Sequence, residues 1–132
     1  MTEAQILRFA KKKLIEKGSM VYIQVPFLSR CIDMVLLDGD EIISIEFKLH
    51  DWRKAVIQSK DHLLGVDKAY ICIPARENPS DQLLETLKEH GIGLFFFYKE
   101  SEPLKEILPA QKSNLIWPTT REWLLNTISY AK

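Results

Sequence analysis

The chain has 132 residues, of which 46% are hydrophobic and 27% charged, and its formal net charge is zero. This length and composition predict one compact domain over residues 1–132 and exclude a long disordered or membrane-embedded protein. A net charge of zero gives no indication of a nucleic-acid or membrane partner, although a neutral chain can still carry a local basic face. Cys31 and Cys72 are too few and too far apart for a zinc motif, and they predict two core thiols in a reducing compartment.

The first predicted element is an amphipathic helix in the lysine-rich segment "MTEAQILRFAKKKLIEKG". Thr2 is a suitable N-cap, apolar residues recur at helical spacing, and Gly18 ends the segment. The segment has neither a signal-peptide pattern nor the apolar length of a membrane span, and no other part of the chain has that length. We therefore expect a cytoplasmic protein without a membrane partner.

Strands and helices alternate through the middle of the chain. Three strands are predicted in succession: "SMVYIQVPF", "CIDMVLL" and "EIISIEFKL", the last two joined into a hairpin by Asp38-Gly39-Asp40. A second helix follows, capped by His50 or Asp51 and ending near Gly65. After it come the strand "KAYICIP", the helix "SDQLLETLKEHG" and the strand "IGLFFFY".

The end of the chain has weaker patterns. Pro103, Pro109 and Pro118 interrupt it, and a final amphipathic helix is predicted in "TTREWLLNTISYAK". The alternation of elements predicts an α/β fold in which helices flank a central mixed sheet. We expect the core to span about residues 2–98, with residues 99–132 as a tail that carries the C-terminal helix.

The predicted hairpin carries charged residues in otherwise buried strands. Because side chains alternate along a strand, Glu46 and Lys48 share one face, opposite to Phe47. A two-residue Gly39-Asp40 loop would place Asp33 directly across from Glu46, and only an odd-length loop would separate the two acids.

Two carboxylates at cross-strand distance, about 5 Å between Cβ atoms, repel each other unless a cation or a proton lies between them. Oxygen ligands of this kind suit Mg²⁺ or Mn²⁺. Lys48 would lie beside the metal and help to position a water or stabilise developing charge. The alternative is structural: Glu46 and Lys48 form an ordinary ion pair, with Asp33 at the rim.

Two helical residues are placed to join this site. Glu3 points along the sheet-facing stripe of the first helix, and Gln58 lies beside the apolar stripe of the second. Each also has a structural interpretation, since an acid in the first turn stabilises a helix and a glutamine on a helix surface is commonly solvated.

Together, Ile32-Asp33, Glu46-Phe47-Lys48, Gln58 and Glu3 resemble the motifs of the PD-(D/E)XK nuclease superfamily. The predicted order of helix, three strands, helix and strand is similar to the αβββαβ core of this restriction endonuclease-like fold, and the resemblance covers roughly residues 2–74. Ile32 replaces the proline of the family's name, and no attached specificity domain is evident.

The resemblance implies metal-dependent hydrolysis of DNA phosphodiester bonds. Asp33, Glu46 and the backbone carbonyl of Phe47 would hold Mg²⁺ or Mn²⁺, Lys48 would position the attacking water, and Glu3 and Gln58 would support the site. Cationic and aromatic residues near the site could contact phosphates, although each could equally be a solvated surface group: Arg30, His50, Trp52, Arg53, Lys54 and Lys60.

Small single-domain members of the superfamily, such as archaeal junction resolvases and phage nucleases, recognise branched DNA and often act as homodimers. The last helix, with Trp123, Leu124 and Ile128, would either form a dimer surface or pack on its own sheet. Other functional interpretations stay open. They are a nuclease subunit that takes its specificity from a partner, an inactive nucleic-acid or protein-binding module of the same fold, and an unrelated α/β domain.

Overall fold

The computed structural model describes residues 1–130, which form an α/β fold with a six-stranded mixed sheet and four helices. The elements are α1 (Glu3–Glu16), β1 (Met20–Phe27), β2 (Arg30–Asp38), β3 (Glu41–Phe47), α2 (Trp52–His62), β4 (Lys68–Pro74), α3 (Asp81–His90), β5 (Gly93–Phe97), β6 (Leu104–Leu108) and α4 (Pro118–Tyr130). The predicted order of elements is confirmed as far as β5, and β6 was not predicted.

The strands lie in the sheet in the order in which they occur in the chain. β1, β2 and β3 form an antiparallel meander, β3 to β5 are parallel with α2 and α3 as crossovers, and β6 is an antiparallel edge strand. In this topology, the β1–β2 turn and the carboxyl ends of β3, β4 and β5 meet at one edge of the sheet. The start of β2 and the end of β3 are therefore neighbours.

The helices cover both faces of the sheet. α1 packs against one face through Ile6, Leu7 and Ala10. The other face is covered by α2, α3 and α4, whose buried residues include Val56, Leu87 and Leu124. The result is a three-layer domain in which the sheet is buried on both sides.

The ends of α1 and α2 agree only in part with the sequence-based predictions. The Thr2 side chain and Gln5 form a reciprocal capping box at the start of α1, as the sequence predicts for Thr2. Of the two residues predicted to cap α2, Asp51 occupies the N-cap position, but it makes no side-chain cap hydrogen bond and has a left-handed backbone with φ of 52°. α2 also ends earlier than expected, at His62 rather than near Gly65.

Residues assigned to the tail contribute to the sheet. β6 pairs with β5, and its Glu106 carboxylate accepts a 2.5 Å hydrogen bond from the Tyr70 hydroxyl on β4. The segment is only five residues long and lies between Pro103 and Pro109. Proline is compatible with an edge strand because its missing N–H faces no partner there.

The C-terminal helix packs on its own sheet. Leu124 and Ile128 are buried in the core beside β1 and β2, so of the two alternatives that the sequence left open for this helix, packing on its own sheet holds for these two residues. Trp123, the third residue of the candidate dimer surface, is 44% exposed. The Arg121 guanidinium, near the start of α4, reaches Asp67 at 3.0 Å.

The two cysteines differ in environment. Cys72 is buried, and burial raises the pKa of its thiol. Cys31 is exposed, so the prediction of two core thiols holds only for Cys72. Within residues 1–130, no helix has the length and apolar character needed to cross a membrane.

The contact of α4 with the sheet gives a stability prediction. The Asp67 carboxylate accepts a 2.7 Å hydrogen bond from the Ile42 N–H and pairs with Arg121. Arg121→Met should lower the free energy of unfolding by about 1–3 kcal/mol, because it leaves a largely buried carboxylate without its cation. Urea unfolding measures the change.

Lys68→Met provides the control, since the Lys68–Glu41 pair is about one-third exposed on each side. Its loss should cost less than about 1 kcal/mol. Equal destabilisation by the two substitutions would contradict a special role for the Asp67–Arg121 contact.

Candidate active site

The β2–β3 hairpin has the predicted two-residue loop. Asp38 pairs with Glu41, and the register continues to the pair Met34–Ile45. The next positions along both strands are Asp33 and Glu46, so turn length and strand alternation bring the two acids together as expected.

Beyond the pair Met34–Ile45, hydrogen bonds between backbone N–H groups and the two carboxylates take the place of backbone–backbone hydrogen bonds between β2 and β3. The Asp33 N–H donates to Glu46 Oε1 at 3.2 Å, and the Phe47 N–H donates to Asp33 Oδ2 at 2.9 Å. Each acid is thus held by a backbone donor on the opposite strand. On β1, Gln24 has φ of 50° and the β1–β2 pairing is interrupted between Ile23 and Val25, which frees Asp33 from a regular strand geometry.

Glu46 is buried at 2% exposure, and its pKa is raised to about 9. Burial is the main cause, followed by the charge of Asp33 and a side-chain hydrogen bond with it. Lys48 acts in the opposite direction without forming a salt bridge with Glu46, so the purely structural ion-pair interpretation is not supported. At neutral pH the metal-free pair therefore retains a proton.

Glu3, at the start of α1, and Lys48, just after β3, lie at the same end of the sheet as the two acids. Lys48 follows the strand directly, and its N–H donates to the Cys72 carbonyl at 3.0 Å. The Glu3 carboxylate accepts a 2.9 Å hydrogen bond from the Leu49 N–H, which ties the start of α1 to the end of β3. Glu3 and Asp33 line an open cavity of about 200 Å³.

His62 is a site residue that the sequence analysis missed. Its Nε2 atom lies 3.5 Å from Glu46 Oε1, and its pKa is lowered to about 4, chiefly by burial and also by the charge of Arg30. At pH 7 both His62 and Glu46 are therefore neutral, and their contact is not a salt bridge. Gln58 lies one helical turn earlier on α2, and this i,i+4 spacing could have identified His62.

The predicted phosphate-contacting residues separate into three locations. His50, Trp52 and Arg53 line a cavity of about 280 Å³ together with Arg76, which was not predicted. Arg30 instead lines a second cavity with Gln58. Two lysines, Lys54 and Lys60, lie on the exposed surface of α2 and belong to neither cavity.

Arg53 is held in place on the wall of the first cavity. Its guanidinium lies 4.4 Å from the centre of the Trp52 ring and donates a 2.9 Å hydrogen bond to Gln82 on α3. Such stacking fixes the orientation of an arginine while leaving other N–H groups available.

The donor set suits a hard divalent cation that keeps part of its hydration. Asp33 and Glu46 provide carboxylate oxygens, and the Phe47 N–H donates to Asp33 Oδ2. Among residues 1–130, no three His, Cys, Asp or Glu side chains form a cluster with metal-binding geometry. Mg²⁺ typically takes one or two carboxylates and completes its shell with water and substrate oxygens, so these residues fit it.

Burial of Glu46 gives a pH-dependence prediction for the protein in a chelator. The folded state keeps a proton on Glu46 that the unfolded chain releases above its ordinary pKa of 4.5, so this stabilising contribution is complete below pH 4.5. It is lost progressively as the pH rises towards about 9. The lowered pKa of His62 has the opposite effect below its ordinary pKa of 6.5, so the fall is expected above that pH. Urea unfolding between pH 7 and 8.5 should show falling stability.

Glu46→Gln keeps the shape of the side chain and cannot ionise, so it should flatten that pH dependence. Glu85→Gln, on α3, is the control and should leave the slope unchanged. An identical slope in wild type and Glu46→Gln would show that Glu46 does not titrate as described.

No protein-family model matches the chain, and no curated protein is significantly similar to it.

Proposed function

We propose that this protein is a metal-dependent endonuclease that hydrolyses DNA phosphodiester bonds, of the PD-(D/E)XK type. The observation that carries this proposal is the pairing of the buried Glu46 with Asp33, with Lys48 two residues further on. A buried carboxylate beside another acid costs stability, and such arrangements are concentrated at functional sites.

The fold supports the same proposal. The order α1, β1, β2, β3, α2, β4 is the one expected of the restriction endonuclease-like core, and the candidate residues come from its β2, β3, α1 and α2 elements. The free thiols of Cys31 and Cys72 suit a reducing compartment, which agrees with the proposed cytoplasmic location.

Asp33, Glu46 and the Phe47 carbonyl would hold Mg²⁺ or Mn²⁺. When bound, such an ion polarises the phosphate and lowers the pKa of a water. Lys48 orients the attacking water and stabilises the negative charge that develops on the phosphate oxygens. Glu3 fixes the backbone at Leu49 and thereby the position of Lys48.

The cavity beside Trp52 is the proposed contact to the DNA backbone. Arg53, Arg76 and His50 lie around it at the carboxyl ends of β3 and β4, directly past Lys48. Arginine forks suit phosphate oxygens, and such contacts supply affinity without base specificity. A strand bound there would continue from the acids across the start of α2.

Cleavage assays with supercoiled, linear, single-stranded and four-way branched DNA test the chemistry. We expect nicking or cutting with Mg²⁺ or Mn²⁺ and none in a chelator. Lys48→Ala should lower kcat at least about 100-fold, because it removes a group that stabilises the transition state. Glu46→Ala and Asp33→Asn should abolish activity.

Lys112→Ala, an exposed lysine in the segment after β6, is the matched control and should cut like wild type. Cleavage that persists in Glu46→Ala and Lys48→Ala would indicate a contaminating nuclease. Absence of cleavage on every substrate, with no stabilisation of the protein by Mn²⁺ in thermal unfolding, would contradict the proposed function.

The proposed backbone contact has its own readout. Arg53→Gln and Arg76→Gln should each reduce the slope of log Kd against log salt by about 0.7–0.9, the change expected for one lost phosphate contact. Fluorescence anisotropy in a chelator, at several salt concentrations, measures the slope without cleavage.

Lys88→Gln, on α3 at the opposite end of the sheet, should leave the slope unchanged. Equal slopes for wild type and both arginine variants would exclude this cavity as a phosphate-binding surface.

A further inference from the structure

Strained backbone positions are concentrated near the edge of the sheet that holds the two acids. Within residues 1–130, the non-glycine residues with positive φ are Gln24, Leu28 and Asp51. They lie near the end of β1, in the β1–β2 turn and directly before α2, which all belong to this edge. The glycines with positive φ lie at the opposite end of the sheet, and they are Gly18, Gly39 and Gly91. Strain that a glycine would relieve is thus retained beside the proposed site, where functional residues are commonly strained.

At Gln24, β1 changes the face of the sheet towards which its side chains point. Ile23 packs in the apolar cluster that α1 covers, whereas Val25 packs in the cluster that α4 covers. Residues two apart on a regular strand share one face, so β1 turns over between them. The partner strand β2 changes face in the same way between Met34 and Ile32, which pair with Ile23 and Val25.

The two residues at this irregularity, Gln24 on β1 and Asp33 on β2, line the same cavity. It is the open cavity of about 200 Å³ that Glu3 lines from α1. The remaining lining residues are apolar: Ala4, Leu7 and Phe47. Gln24 is exposed, and in this lining it is the one polar side chain without a charge. The irregular pairing therefore places an amide in the wall of the cavity that contains the acid of β2.

Neither backbone preference nor packing accounts for a glutamine at this position. The left-handed conformation favours glycine and, among the other residues, asparagine and aspartate. Because Gln24 is exposed, its side chain also contributes little to the core. A function of the amide group explains why the position holds a glutamine in spite of the strain.

The size and polarity of the cavity suit the hydration shell of a bound ion. A space of about 200 Å³ holds several waters, since each water in the liquid takes about 30 Å³. Mg²⁺ held by one or two carboxylates keeps several waters. A water bound to a cation directs its O–H groups away from the ion and needs acceptors for them. The side-chain oxygen of a glutamine is such an acceptor.

We propose that Gln24 is a positioning residue of the metal site. Its side-chain oxygen accepts a hydrogen bond from a water of the ion that Asp33 and Glu46 hold, and this contact stabilises the hydrated ion in the cavity. The inference rests on the proposed nuclease function and adds to it a residue that acts on the ion through water and not on the DNA.

Binding of Mn²⁺ without DNA tests this role, because the electron paramagnetic resonance signal of free Mn²⁺ gives the Kd. Gln24→Met has a similar length and no comparable acceptor, so it should raise the Kd about tenfold, as expected for a residue that holds a metal ligand. Gln24→Glu keeps an acceptor oxygen at the same reach and should bind Mn²⁺ at least as tightly as wild type. Gln111→Met is the matched control and should bind like wild type, since Gln111 is exposed and lines a separate groove beside Gly91.

Gln24→Gly separates the contribution of the side chain from that of the backbone. Glycine adopts the left-handed conformation without strain, so in a chelator this variant should unfold at an equal or higher urea concentration than wild type. It should nevertheless bind Mn²⁺ about tenfold more weakly. A residue with a merely structural role would lose stability and keep its affinity for Mn²⁺.

Cleavage assays provide a second readout. Gln24→Met should need about ten times more Mg²⁺ for half-maximal cleavage and should reach nearly the wild-type kcat at saturating Mg²⁺, because its defect lies in holding the ion.

The role of Gln24 is overturned if Gln24→Met and Gln24→Gly bind Mn²⁺ like wild type, or if Gln24→Glu is weakened as much as Gln24→Met. Either result in a protein that cuts DNA leaves the nuclease proposal intact. The expected changes in Kd without cleavage of any DNA would support the role of Gln24 and contradict the nuclease. A wild-type protein that binds no Mn²⁺ overturns both.

Discussion

The burial of Glu46 beside Asp33 is the constraint around which this end of the domain is organised. A carboxyl group at 2% exposure gives up its hydration, and a second acid nearby makes its ionisation still less favourable. The backbone ladder between β2 and β3 ends at Met34–Ile45, and beyond it the N–H groups of Asp33 and Phe47 donate to the two carboxylates instead. A local arrangement that costs stability in this way is typical of a site retained for chemistry.

The sheet topology determines what surrounds these acids. Because β3 and β4 are parallel, their carboxyl ends lie together, and the start of α2 and the loop after β4 form one cavity there, whose charged lining residues are Arg53, Arg76 and Asp51. Because β1 and β2 are antiparallel to one another, their turn also reaches this edge and brings Arg30 towards α2. The acid pair thus lies between the cavity at the start of α2 and the cavity beside Arg30.

The sequence predicted the parts of this arrangement that depend on strict local rules. Side-chain alternation and a two-residue turn are sufficient to place Asp33 opposite Glu46, and Thr2 and Ser80 cap helices as their residue types indicate. His62 and Arg76 were missed because their roles arise from tertiary packing. His62 reaches Glu46 only once α2 lies across the sheet, and Arg76 joins Arg53 only through the parallel pairing of β3 with β4.

Other misses have local physical causes. β6 is short, largely exposed and bounded by prolines, so neither its alternation nor its composition distinguishes it from a loop. The positive φ of Gln24 could not be predicted from the sequence either. A non-glycine residue in that conformation is held by its surroundings rather than by its own preference. The strain at Gln24 nevertheless accompanies the interruption that frees Asp33, so the least predictable backbone position lies beside the predicted site.

A second buried acid in the same domain shows what a structural carboxylate looks like here. Asp67, just before β4, is 6% exposed, yet one of its oxygens accepts a hydrogen bond from Ile42 at the start of β3 and also meets the Arg121 guanidinium. Its charge is compensated, and the contact joins α4 to the sheet. Glu46, at the other end of β3, has no salt-bridged cation and faces another acid and a neutral histidine. Asp67 and Glu46 lie near opposite ends of β3 and are both buried, so burial alone does not distinguish them. The missing compensation does, and it is the feature of the end of β3 on which the proposed cation site rests.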